Sequence, residues 1–170
     1  ASISTTAVSD SSRAFLASGH NFADALSISS FAAAQGIPLL LTSAIQVPQA
    51  TLDALQELGV SQVTLLGGQK VIQDAVENQL VDAGYLVDRL SGGNRYETNL
   101  DIIQNSDFNM GKIVVATGHS FPDALAGSVV AAKGSHPILL VPPNVTALND
   151  SPASSFLNTI RPEVNCFLLA

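Results

Sequence analysis

Ser18-Gly19-His20-Asn21-Phe22-Ala23-Asp24-Ala25-Leu26 occurs a second time, as Thr117-Gly118-His119-Ser120-Phe121-Pro122-Asp123-Ala124-Leu125. The match extends from Ala17–Thr42 onto Ala116–Val141 at a constant offset of 99 residues, with about half of the positions identical. A fixed period means that the chain is assembled from copies of one supersecondary unit. In 170 residues a period near one hundred allows two units of ordinary domain size.

Composition narrows the surroundings of those units. Apolar residues make up 46% of the chain and charged residues 12%, against about 25% charge in an ordinary domain. Either the α/β core is well buried, or faces of each unit are covered by neighbours. The net charge of −7 argues against a nucleic-acid binder, which needs a basic face. It also fits poorly with an anionic partner unless the few basic residues gather. The single cysteine, Cys166, cannot form an intrachain disulfide, and no Cys/His spacing suggests a metal or a cofactor. The longest apolar run, Pro137 to Pro143, is far too short for a membrane span. Ala1-Ser2-Ile3-Ser4-Thr5 lacks the basic start and apolar centre of a leader peptide. An intracellular protein or a mature fragment is therefore expected.

Hydrophobic periodicity alternates between strand and helix. A helix remnant is expected at residues 3–10. A strand at 14–18, a turn at Gly19-His20-Asn21 and a helix over 22–34 stopped by Gly36 follow. Ile37-Pro38-Leu39-Leu40-Leu41-Thr42 reads as a strand buried on both faces. Helices are expected over 48–58, 71–83 and 95–104, and strands over 63–66 and 85–90, the last at an edge. The cycle restarts with a strand at 112–117 and a helix at 121–133. It continues with a strand at 137–141, a helix at 152–160 and a strand at 164–169. Strands alternating with helices of about ten residues mean β-α-β crossovers. The expected fold class is α/β, with tandem three-layer αβα units on mainly parallel sheets. The units divide as 1–91, lacking its N-terminal part, and 92–170, lacking its C-terminal part. Ends that look cut from a longer array would expose apolar surface, so a homo-oligomer is expected.

The repeated motif has a structural and a functional interpretation. Asn21 and Ser120 fall at helix N-caps. Asp24 and Asp123 fall in the first turn, where a carboxylate returns a bond to the cap and meets the positive end of the helix dipole. Alternatively, His20 and His119 line a ligand groove at the carboxyl ends of the strands. Catalysis by His20 with Asp24 lacks a nucleophile, because no Gly-x-Ser-x-Gly elbow exists and Cys166 lies in an apolar strand. Gly67-Gly68-Gln69-Lys70 follows a strand but matches no phosphate-loop pattern, so it reads as a tight turn. In Arg89-Leu90-Ser91-Gly92-Gly93-Asn94-Arg95-Tyr96-Glu97-Thr98, Asn94 is the expected cap. Arg95 then opposes the helix dipole, which points to an ion pair across a unit boundary or to an acidic ligand group. The Ala-rich helix beginning at Ala23 is apolar on most faces and is the expected contact between units.

Gly19-His20-Asn21-Phe22-Ala23-Asp24-Ala25-Leu26, Ile37 to Thr42, Leu65-Leu66-Gly67-Gly68 and Arg89 to Thr98, in that order, resemble cell wall binding repeat type 2 modules of Gram-positive surface proteins. The resemblance spans nearly the whole chain. It implies Rossmann-like units that pack in threes, and a secreted protein held at the cell wall without covalent attachment. It further implies that grooves between modules take an anionic wall polysaccharide or teichoic-type polymer. Arg89, Arg95 and Tyr96 are the matching positions, and Asn94, His20 and His119 are added as candidate polymer contacts. No enzymatic activity and no cofactor are expected. The alternative is a self-assembly module whose grooves only join units.

Overall fold

The computed structural model describes residues 12–119, 121–144, 151–160 and 166–169; the helix expected at 3–10 lies outside them. The elements are β1 (Arg13–Ser18), α1 (Phe22–Gln35), β2 (Leu39–Thr42), α2 (Gln49–Glu57), β3 (Gln62–Leu66), α3 (Asp74–Asp82) and β4 (Leu86–Leu90). They continue as α4 (Arg95–Gln104), β5 (Lys112–Thr117), α5 (Phe121–Ala132), β6 (Ile138–Val141), α6 (Pro152–Ile160) and β7 (Cys166–Leu169). They build two sheets, ordered β2-β1-β3-β4 and β6-β5-β7. Every described pairing is parallel, as short apolar strands joined by helices require.

The two copies share one backbone. Phe15 pairs with Leu39 in the first sheet, and Val114 pairs with Ile138 at the same offset in the second. The turn after each first strand is closed by the same bond, Gly19 N–H to Thr42 O at 3.0 Å and Gly118 N–H to Val141 O at 3.0 Å. Pro38 and Pro137 immediately precede β2 and β6, and their carbonyls accept from Phe15 N–H and Val114 N–H respectively.

Local chemistry sets the helix ends. Asn21 adopts an extended conformation and its side chain accepts from Ala23 N–H, so α1 starts where the cap allows. Gly36 ends α1 in the left-handed region at φ 66°. The equivalent residue after α5 is Ser135, which is held at φ 54° although it has a Cβ. One expected boundary needs correction. The helix foreseen over 71–83 begins only at Asp74. Val71 and Ile72 form a separate turn on the Gly68 carbonyl, and Gln73 N–H bonds to Ala44 O, which pulls the chain out of helical register.

Alternation along the strands divides the core. Ala14, Leu16, Val63 and Leu65 face α2 and α3, whose Leu55, Val76 and Leu80 complete one cluster. The opposite side of the first sheet, through Phe15, Ala17 and Leu66, joins Ile28 and Phe31 of α1, Ile102 and Ile103 of α4, and Ile113 and Leu139 of the second sheet. A third cluster sets Ala23 and Leu26 of α1 against Val114, Ala116, Ile138 and Leu140. Helix α1 thus belongs to the first unit by sequence but packs on α4, α5 and β6. That is the inter-unit contact its composition implies.

Polar side chains fix this contact. Asn99 of α4 is fully buried. Its amide donates to Ile138 O at 2.8 Å and to Ser27 Oγ at 2.9 Å, and its Oδ1 accepts from Leu140 N–H at 2.9 Å. One side chain therefore satisfies the open edge of β6 as a neighbouring strand would, and ties that edge to α1. Ser30 adds a bond to His136 O at 2.7 Å.

Candidate binding groove

A strand order of β2-β1-β3-β4 reverses direction between β1 and β3. In open parallel sheets a crevice opens at the carboxyl ends of the strands at that point. Here it is a groove of about 320 Å³. Asn21 and Asp24 at the start of α1, Gln69 and Lys70 after β3, and Asn94 and Arg95 at the start of α4 contribute to its walls. The first unit and α4 meet across it.

The walls are rigid for reasons readable residue by residue. Asn94 caps α4, its Oδ1 accepting from Tyr96 N–H and Glu97 N–H at 3.0 and 3.1 Å. The glycine-rich loop before it is tied down by α4 itself. Ser91 N–H donates to Asp101, Gly92 N–H to Thr98 Oγ1 and Gly93 N–H to Glu97 Oε2. These amides are therefore occupied, unlike the open N–H groups of a phosphate loop. A Cβ on Gly92 would lie 2.3 Å from the Glu97 Cβ, so only glycine permits this close approach.

Arg89 supports the opposite wall. Its guanidinium pairs with Glu77 at 2.8 Å, and Nη1 donates to Gly67 O and Ile72 O. It holds the turn that carries Gln69 and Lys70, with these donors directed into its own unit. Arg95 behaves differently. Its Nη1 donates to Gly118 O at 2.6 Å, anchoring the turn of the second copy, while the side chain lines the groove. Tyr96 lies over Gly118, where a Cβ would fall 2.6 Å from the ring.

Asp24 is the unusual member. It is 2% exposed, its Oδ1 has no hydrogen-bond partner, and its Oδ2 lies where a Cβ on Gly67 would come within 2.8 Å. The expected return bond to the α1 cap is not formed; Asn21 alone supplies the side-chain cap. The reason is positional, since the carboxylate turns toward the Gly67 backbone, whose φ of 113° leaves room for it. Burial pushes the Asp24 carboxyl up to about 6, and the Arg95 guanidinium opposes that shift.

The remaining expected contacts lie apart. His20 is exposed and borders a separate, largely apolar groove with Phe22, Leu26, Leu39 and Leu41. His119 is exposed at the second turn, its N–H bonded to Thr117 Oγ1. No hydrogen bond joins His20 to Asp24, so the pair weighed for catalysis is not assembled. Ser120 and the Asp123 side chain lie outside the described residues. Among the described residues no group of three or more His, Cys, Asp and Glu side chains is placed to hold a metal. No described helix is long and apolar enough to cross a membrane.

Sequence reasoning missed Lys70 and Asn99. A strand ending in Gly67-Gly68 at the switch point would have indicated Lys70. An asparagine inside the apolar stripe Leu100, Ile102, Ile103 would have indicated Asn99.

Two copies of a parallel αβα unit, joined through a buried helix, form a tandem α/β repeat. The chain belongs to the cell wall binding domain 2 (CWB2) family, whose model matches residues 2–77 and 89–164. It is 32% identical over 134 residues to the N-acetylmuramoyl-L-alanine amidase LytC of Bacillus subtilis, covering 79% of this chain and 26% of LytC. It is 34% identical over 129 residues to the amidase enhancer of the same organism, covering 76% of this chain and 17% of that protein. The chain thus spans about a quarter or less of the length of these relatives. Among solved structures, Cwp6 from Clostridium difficile superposes with a TM-score of 0.76 at 26% identity, covering 92% of this chain and 25% of Cwp6. Cwp8 from the same organism superposes with a TM-score of 0.74 at 19% identity, over 96% of this chain and 32% of Cwp8, a likeness of fold. Family and relatives place the chain among cell-wall-binding modules of Gram-positive surface proteins.

Proposed function

We propose that this chain is a non-catalytic anchoring module that holds a secreted protein at the Gram-positive cell surface by gripping an anionic wall polymer, a polysaccharide or teichoic-type chain. The observation that carries this is the gathering of Arg95 and Lys70 in one groove of a chain whose net charge is −7. The N-termini of α1 and α4 meet there too, and their dipoles favour an anion. Asn94, Arg95 and Lys70 are the direct contacts. Tyr96 positions Arg95 against Gly118, Arg89 stiffens the facing wall, and His20 and His119 mark the neighbouring turns along which a polymer would run. The units are taken as 1–91 and 92–170.

Pull-down on purified Gram-positive cell walls tests this. Arg95→Ala and Lys70→Ala should each weaken binding about tenfold, as loss of a charge-assisted contact does. Binding should also fall as salt rises. Unchanged binding in both variants would remove the groove from the function.

A second reading is self-assembly. Val129 and Val130 of α5 are 64% and 51% exposed, whereas their counterparts Ser30 and Phe31 in α1 are 0% and 7% exposed. A face that one copy buries is open on the other, and a further unit would cover it. Light scattering across concentration tests this, with Val129→Ser/Val130→Ser expected to lower the mass if α5 is the contact.

A further inference from the structure

Buried carboxylates are normally met by donors, because an ionised group without them loses its hydration uncompensated. Asp24 departs from that rule. It is 2% exposed, its Oδ1 has no hydrogen-bond partner among the described groups, and it forms part of the groove wall at the switch point of the first sheet. Its place is built for it: Gly67 makes room at a φ that other residues rarely adopt, and Arg89 fastens the Gly67 carbonyl from behind. Lys70 and Arg95 line the same groove. Opposite charges a short way apart suit a ligand with two kinds of group, an anion and a hydrogen-bond donor. A purely anionic ligand would be repelled by the carboxylate. A hydroxyl donor relieves Asp24 without bringing the desolvation cost of a second buried cation.

Resting on the wall-polymer reading above, we infer that Asp24 is a specificity-determining residue. It accepts a hydrogen bond from a hydroxyl of the polymer while Arg95 and Lys70 hold the acid group beside that hydroxyl. The ligand class is therefore a hydroxylated polyanion, either a polyol phosphodiester or a uronic-acid glycan. Bare polyanions are discriminated against.

The test compares immobilised poly(glycerol phosphate), polygalacturonate and inorganic polyphosphate, matched in charge, against the chain and its Asp24→Asn and Arg95→Ala variants. The chain should prefer a hydroxylated polymer over polyphosphate by about tenfold, the scale of one hydrogen bond to a charged group. Preference for poly(glycerol phosphate) identifies phosphate as the anion, and preference for polygalacturonate identifies carboxylate; both support the inference. Asp24→Asn should reduce the ratio to below about twofold. The ratio is the readout, and the thermal transition of the variant reports that it folds. If that transition is lost, Asp24→Ser takes its place. A tenfold preference that survives removal of the carboxylate overturns the role of Asp24 while leaving the groove in place. Wall binding unaffected by both Arg95→Ala and Lys70→Ala overturns the groove itself, so the two failures are distinguishable.

Discussion

Helices α1 and α5 descend from the same stretch of sequence and emerge from the same turn, yet they live in opposite surroundings. In α1, Leu26, Ile28 and Phe31 are buried between the sheets. In α5, Leu125, Val129 and Val130 are open to solvent. The lesson is that the unit's own sheet does not determine which helix face is buried; the next unit along does. Leu26 packs against Val114, Ala116, Ile138 and Leu140, all of the second copy. The serines of α1 support this view. Ser27 and Ser30 meet Asn99 and the His136 carbonyl, and the α5 sequence replaces them with Ala126 and Val129, which have no hydrogen bond to offer.

The largest test of this comparison is a matched pair of truncations. Phe31→Ala should destabilise the chain by about 3–5 kcal/mol, as removal of a buried aromatic does. Val130→Ala, at the equivalent position, should stay within about 0.5 kcal/mol. Urea unfolding measures both, and equal losses would dissolve the contrast.

Next comes the polar clamp. Asn99→Ala leaves Leu140 N–H and Ile138 O without their partner in a buried site, so a loss of about 2–4 kcal/mol is expected. If the units are held mainly by their apolar surfaces, the loss will fall below 1 kcal/mol on about the same scale.

Asp24 gives a smaller effect of opposite sign. Its folded pKa of about 6 lies above the ordinary carboxyl value of 3.8. Between those values the folded chain keeps a proton that the unfolded chain gives up, so stability falls as pH rises through this window. Below the window the group contributes nothing, and above it the full penalty applies. Asp24→Asn should remove that slope and stabilise the chain at pH 7 by roughly 2 kcal/mol, less than the full shift because an amide still lacks partners. Thermal unfolding from pH 3.5 to 7.5 checks it, and an unchanged slope would refute it. A group that weakens the fold is the kind retained at a functional site.

The smallest effect concerns the ends of the two helices. Gly36 and Ser135 occupy the same left-handed position, at φ 66° and 54°. The serine also leaves its buried Oγ without a partner. Ser135→Gly should stabilise by about 1 kcal/mol, and Gly36→Ser should destabilise by a similar amount. Calorimetry on the two variants gives the comparison its finest resolution.

Much of this was legible beforehand. The repeat is visible as a match at a fixed offset of 99 residues, and the strand and helix segments, the caps at Asn21 and Asn94 and the stop at Gly36 are local: each depends on residues within a few positions of one another. Their physics is that of one turn or one pleat, and sequence spacing reports it directly. The burial of the Ala-rich helix was also legible, because a helix without a polar face has to be covered.

The division of labour between the two arginines was not legible. Arg89 and Arg95 flank one loop and look alike in sequence. One turns inward to Glu77 and the Gly67 turn, and the other reaches the second copy and the groove. Nor did the sequence show that Asp24 would leave its cap to lie against Gly67, or that Asn99 would stand in for a missing strand. Lys70 joins Arg95 only because β3 and β4 lie side by side in the sheet. The chain's own order therefore determined the repeated unit and its local geometry. The groove, the buried Asp24 carboxylate and the clamp between copies were decided by tertiary structure, because each depends on the side chain that folding brings opposite, from tens of positions to 106 positions away.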